Sequence, residues 1–251
     1  MTIVYAVLFL LYGLVFGSFF NVVGLRVPKG ESIVKPPSHC TVCDRNLTIK
    51  DLVPVFSFVF LKGKCRGCGT KILWVYPGME LATGLLFAFA YLQLGFSFEL
   101  IVALLFISML VIITVSDLAY MLIPDKILLF FLIPIIASRI FSPLTPWWDS
   151  LVGAVVGFGL LFFIALVSKG GMGGGDIKLF FVIGLVLGTV NTLLTLFLAS
   201  IIGTIIGIIS LRIAKKGRKT PIPFGPSIAI AAIIAYFYGD AFVDWYMNLF
   251  F

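Results

Sequence analysis

Three carboxylates stand beside turn-forming residues in an otherwise apolar chain. Asp117 ends the run Val115-Ser116-Asp117, Asp125 follows Pro124, and Asp176 closes Gly173-Gly174-Gly175-Asp176. Two carboxylates sharing a site cannot both ionise cheaply, so one keeps a proton near neutral pH. The ionised member can activate water while the protonated one donates to a peptide carbonyl oxygen, which is the chemistry of an aspartic protease. Asp117 and Asp176, 59 positions apart, are the expected pair. Met172 alone interrupts the glycines of 170–175. Such a run is either a plain linker or a stretch beside which an extended peptide can lie, because glycine allows close backbone approach. No rival catalytic set is visible: the sole histidine, His39, has no evident partners, and there is no HExxH.

The four cysteines form two pairs, Cys40-Thr41-Val42-Cys43 and Cys65-Arg66-Gly67-Cys68, with 21 residues between the pairs. Two CxxC turns can place four thiolates around one tetrahedral zinc, and Lys64, Arg66 and Lys71 would offset the resulting negative charge. Two disulfides are the alternative, disfavoured if this stretch faces a reducing compartment. A structural metal suits a segment too small to build a core of its own. His39 adjoins a site that four cysteines already complete, and is expected to be a bystander.

These residues must be positioned by a membrane protein. Of 251 residues, 61% are hydrophobic and 12% charged, far from soluble averages. That excludes an ordinary cytosolic enzyme, a disordered chain and a secreted disulfide scaffold. A spanning helix needs about 20 apolar residues. Eight segments approach this, at 3–25, 77–94, 100–116, 127–141, 151–167, 177–187, 191–211 and 226–246, with the turn between the sixth and seventh expected at 188–191. The first reads as a retained helix rather than a signal peptide, since its basic residues follow the apolar run. The expected fold is therefore an all-α polytopic membrane protein of about eight transmembrane helices. A small cytoplasmic zinc-binding insert lies between helices 1 and 2. The segments are 1–25 as first span, 26–76 as cysteine-rich insert and 77–251 as membrane domain.

Charge placement orients the chain. With the N-terminus outside, eight crossings put 17 of the 18 basic residues on the cytoplasmic side, leaving Arg139 as the exception. The net charge of +7 is thus accounted for by the anionic leaflet, and no nucleic-acid role is expected. The same orientation brings Asp117 and Asp176 to one membrane edge.

At this point the sequence resembles the bacterial type IV prepilin peptidases, over essentially its whole length. The resemblance is carried in order by Gly17-Ser18-Phe19-Phe20-Asn21 with Arg26 and Pro28, and by Pro37-Ser38-His39-Cys40 leading into the double CxxC. Tyr76-Pro77-Gly78-Met79-Glu80, Asp117 with Ile123-Pro124-Asp125, and the GxGD-like Gly173-Gly174-Gly175-Asp176-Ile177-Lys178 follow. It implies that Asp117 and Asp176 are catalytic, supported by Asp125, Gly173, Gly175 and Lys178. The implied reaction removes the basic leader from membrane-anchored prepilins or pseudopilins serving pili, secretion or DNA uptake. It implies location in the bacterial inner membrane with the site facing the cytoplasm. It further implies N-methylation of the new amino terminus by S-adenosylmethionine, tied to the cysteine insert. Gly63, Lys64, Glu80 and Asn21 match positions that could serve that cofactor, while Cys40, Cys43, Cys65 and Cys68 would hold zinc. A cation or proton transporter would use the acids but leave the cysteines idle; a zinc-ribbon adaptor would do the reverse; a peptidase lacking the transferase is the remaining rival.

Overall fold

The computed structural model describes residues 1–168, 171–214 and 223–250, with backbone only at 211–214 and 250. Lys169, Gly170 and most of the basic run after 211 lie outside the described residues. Among the described residues the α-helices are α1 Thr2–Arg26, a short α2 Phe56–Phe60, α3 Val75–Leu94, α4 Phe98–Tyr120, α5 Asp125–Phe141, α6 Asp149–Val167, α7 Gly174–Ala214 and α8 Gly225–Phe250, with turns and isolated bridges filling most of 30–74. Among the described residues six helices are long and apolar enough to cross a membrane: α1, α3, α4, α6, α7 and α8. Two features separate these six from the expected eight. Segment 127–141 falls on the 17-residue α5, which rises only about 25 Å. Segments 177–187 and 191–211 are the two helical halves of α7, parted at Gly188, whose φ 74 and ψ −175 are not helical.

The chain forms two compact units, Met1–Val115 and Ser116–Phe251. In the first, α1 and α3 pack in opposite directions through small residues. A Cβ on Gly13 would lie 2.7 Å from Gly84, and one on Gly17 2.8 Å from the Glu80 backbone. Lipid tails offer no hydrophobic reason for helices to associate, so backbone proximity at small residues must supply the contact. The opposite side of α1 stays apolar and exposed at Val4, Leu11, Val15 and Phe19, as a lipid-facing surface requires. The 98–115 part of α4 is apolar on every side and almost wholly buried, from Val102 to Val115.

In the second unit α6 lies against both halves of α7. Gly153 faces Gly184 and Gly188, and Gly157 faces Phe180 and Thr192, at separations that leave no room for a side chain. The interruption at Gly188 frees backbone groups that hydrocarbon cannot satisfy. Side chains take their place. Arg139 of α5 donates from Nη2 to the Val186 carbonyl at 2.5 Å, and Asp149 of α6 accepts from the Thr189 N–H at 3.2 Å and hydroxyl at 2.6 Å. Thr192 returns a hydroxyl to the Gly188 carbonyl at 2.5 Å. Arg139, the exception in the charge pattern, is thus bound to α7 backbone and buried.

Candidate active site and thiol centre

Asp117 lies near the end of α4 with 6% of its surface exposed. Its Oδ2 accepts the N–H of Gly225, the first residue of α8, at 2.7 Å. A Cβ at 225 would sit 2.8 Å from that oxygen, so the approach demands glycine. The chain leaving α4 turns back at once. Met121 adopts φ 54 and donates to the Asp117 carbonyl, while the Ser116 hydroxyl donates to the Leu122 carbonyl at 2.6 Å. That turn delivers Ile123 against the first turn of α7, where a Cβ on Gly175 would lie 2.8 Å from the Ile123 Cβ.

Asp176 is the third residue of α7. Its carboxylate accepts the N–H of Gly173, and its own N–H donates to the Gly173 carbonyl at 3.1 Å. This is the reach-back of an acid at the third helical position, which satisfies a donor that the helix start leaves free. Gly173 has Asp176 Oδ2 at 3.1 Å from where a Cβ would be, whereas Gly174 faces open space. The two carboxylates lie within electrostatic range of one another. Both accept from N–H groups at a helix start, one at its own helix and one at α8. Asp125 opens α5 and meets Lys178 Nζ at 2.6 Å, with both side chains more than half exposed. Gly225 went unrecognised in the sequence, although Pro223-Phe224-Gly225-Pro226 ahead of an apolar run was a readable helix start.

The cysteines sit on two matched turns. Cys40 donates its N–H to Arg45 and accepts at its carbonyl from Asp44; Cys65 does the same with Thr70 and Gly69. Asp44 (φ 52) and Gly69 (φ 73) take the left-handed conformation that closes each turn. Single antiparallel bridges, His39 to Asn46 and Lys64 to Lys71, zip the flanks. All four Sγ atoms fall within 4.8 Å of one another, Cys40 and Cys68 at 3.8 Å, and all are free thiols. A tetrahedron with sulfur about 2.3 Å from its centre has edges of about 3.8 Å, so the donors fit one metal ion. Hydrogen bonds with Thr70, hydroxyl and N–H, pull the Cys68 thiol down to about 6, and the Val42 and Cys43 N–H groups lower Cys40. Cys43 is pushed up to about 11, because the Arg45 N–H lowers it less than burial and the other three thiols raise it. A bound cation would favour the thiolate at all four. Asp51 joins the two turns, meeting Arg45 Nη2 and Arg66 Nε at 3.0 Å each.

Asn21 and Glu80 lie on facing turns of α1 and α3. Asn21 donates to the Tyr76 carbonyl at 3.1 Å, its Oδ1 buried without a partner, and Glu80 accepts the Val55 N–H at 2.7 Å and the Ser18 hydroxyl. Gly63 takes φ 70, and a Cβ there would lie 2.9 Å from the Phe58 ring. Among the described residues no hydrogen bond or ion pair joins Gly63 or Lys64 to Asn21 or Glu80.

Residues 11–94 match the model of the bacterial peptidase A24 N-terminal domain, and residues 104–208 that of the type IV leader peptidase family. The chain is 44% identical to the prepilin leader peptidase/N-methyltransferase of Bacillus subtilis, covering 95% of this chain and 96% of that protein. It is 33% identical to the protein of the same name from Aeromonas salmonicida, over 97% and 94%, and 32% identical to that of Pseudomonas aeruginosa, over 95% and 92%. No solved structure matches. Two consecutive domain matches and full-length likeness to these enzymes establish that the chain belongs to the type IV leader peptidase family.

Proposed function

We propose that this protein is a multi-pass prepilin peptidase that removes a basic leader from membrane-anchored prepilins or pseudopilins and then methylates the new amino terminus. Asp117 and Asp176 are its catalytic pair. The observation that carries this reading is their convergence: two acids from distant sequence, each accepting from a helix-start N–H and close enough to feel one another's charge. The ionised carboxylate takes a proton from water as the water oxygen attacks the scissile carbonyl carbon. The protonated one donates to the carbonyl oxygen. Collapse of the tetrahedral intermediate breaks the C–N bond, and the leaving amine takes up a proton. Gly173 and Gly174 are exposed beside Asp176, leaving a side-chain-free track along which a substrate backbone can lie. Asp125 and Lys178, paired at the rim, support the site.

Cys40, Cys43, Cys65 and Cys68 hold a structural zinc, for which the all-thiol donor set is suited. S-adenosylmethionine supplies an electrophilic methyl group. Asn21 and Glu80 would bind it from the membrane side, where the unpartnered Asn21 Oδ1 offers an acceptor, and Gly63 and Lys64 from residues 26–76. The basic-residue asymmetry supports a bacterial inner-membrane orientation with the N-terminus outside and the dyad at the cytoplasmic face. The test is one assay: purified protein is incubated with a prepilin, with and without S-adenosylmethionine, and product masses are read. Leader loss without the cofactor, and one added methyl with it, are expected. An unchanged prepilin mass in both arms overturns the reading.

A further inference from the structure

The segment between α1 and α3 has a surface that neither cleavage nor metal binding uses. In α2, Phe58 points inward: it is buried, and its ring meets Trp74 edge-on at 4.6 Å. Phe56, Val59 and Phe60, on the other side, are 53%, 66% and 82% exposed, and the adjoining Leu73 and Trp74 are 65% and 77% exposed. A module surrounded by water would carry polar residues there. The height of α2 explains the exception. Glu80, which holds the Val55 N–H at the start of α2, lies five residues into α3, about 8 Å below that helix's beginning. The short helix is therefore moored beside the end of a membrane span.

Its charges point the same way. Lys62, Lys64 and Lys71 flank the apolar face and are exposed, whereas Asp51, the acid nearest in sequence to α2, is held by Arg45 and Arg66. Residues 26–76 carry nine basic and three acidic side chains. Apolar side chains rimmed by lysines are the pattern of an element lying in a membrane interface, and a tryptophan at a span boundary suits the same depth. We propose that the outer face of α2, with Leu73 and Trp74, is seated in the headgroup–acyl boundary of the leaflet where α1 ends and α3 begins, and that Lys62 and Lys71 lie on anionic headgroups. The cysteine turns are then held at a set height over that leaflet, not carried on a free water-borne loop.

The full chain, with Trp147, Trp148 and Trp245 changed to Phe, keeps Trp74 as its sole tryptophan and leaves residues 26–76 untouched. Two further probes add Phe60→Trp or Val42→Trp to a Trp74→Phe background. In vesicles containing brominated lipid, quenching of Trp74 and of the Phe60→Trp probe is expected, stronger with phosphatidylglycerol than with phosphatidylcholine alone. The Val42→Trp probe, on a cysteine turn, should respond to aqueous acrylamide instead. A measurement without substitution accompanies it: amide exchange over 55–62 in the unaltered protein should slow when anionic lipid replaces zwitterionic. Equal acrylamide quenching at positions 60 and 42 with no response to brominated lipid overturns the proposal. So does shielding of position 60 that develops only on adding a prepilin, which would make the face a substrate-docking surface.

Discussion

Asp117 and Asp176 share an arrangement: each carboxylate faces an N–H at the beginning of a helix, and each is bordered by a glycine that a side chain would displace. Replacing either by Asn removes an acid–base partner while keeping the shape. Each change should lower leader removal by about 10²–10⁴-fold, the range that general acid–base catalysis contributes, as read from product masses. The surrounding glycines separate by the same geometry. Gly175→Ala drives a methyl into Ile123 and should destabilise the protein by about 1–3 kcal/mol with loss of cleavage, whereas Gly174→Ala faces open space and should leave the thermal midpoint in detergent within error. Equal effects of the two substitutions would contradict the packing described for the first turn of α7.

At the level of elements, the two cysteine turns and the interrupted α7 are each held by a carboxylate. The Thr48 hydroxyl and N–H, then Arg66 and Arg45, hold the Asp51 carboxyl below its ordinary range. A folded value depressed below the unfolded one contributes stability above the unfolded pKa of about 4, and that contribution disappears as pH falls through the folded value. Asp51→Asn should therefore release metal at a lower chelator concentration at pH 7, and its difference from the parent should shrink as pH falls below the unfolded value of about 4. In α7, Gly188→Ala forces a Cβ into a positive-φ site against Asp149 and should cost about 1–3 kcal/mol, measured by unfolding in detergent. Asp149→Asn keeps an acceptor for the Thr189 N–H and should cost less.

Across the whole molecule the scarce charge is the organising feature. If α5 and both halves of α7 cross along with the other five long helices, seventeen basic residues fall on one side and both termini on the other, so reporters fused before Met1 and after Phe251 should both read outside. An internal reading at either end would mean that α5 or one half of α7 fails to cross. Residues 26–76 are net positive and so a poor receptor for a basic leader. Recognition should then depend on the apolar segment that follows the leader, and a detached soluble leader peptide should be cleaved much less efficiently than an anchored prepilin. Legibility varied with the physics involved. The spans were plain because twenty apolar residues have few other fates, and the turn expected at 188–191 corresponds to the interruption at Gly188 because glycine there cannot be replaced cheaply. The count was less plain at α5, whose 17 residues are short for a span.

Composition, charge asymmetry and the ordered motifs were sufficient for membrane class, family and the residues worth testing, since each is a property of residue type and spacing. Tertiary structure alone revealed that Gly225 donates to Asp117, that Ile123 fills the space left by Gly175, and that Arg139 and Asp149 satisfy the backbone opened at Gly188. It also turned the apolar face of α2 outward. These are contacts between positions up to 108 residues apart. No local preference encodes them; they arise when hydrocarbon denies every polar group the option of water.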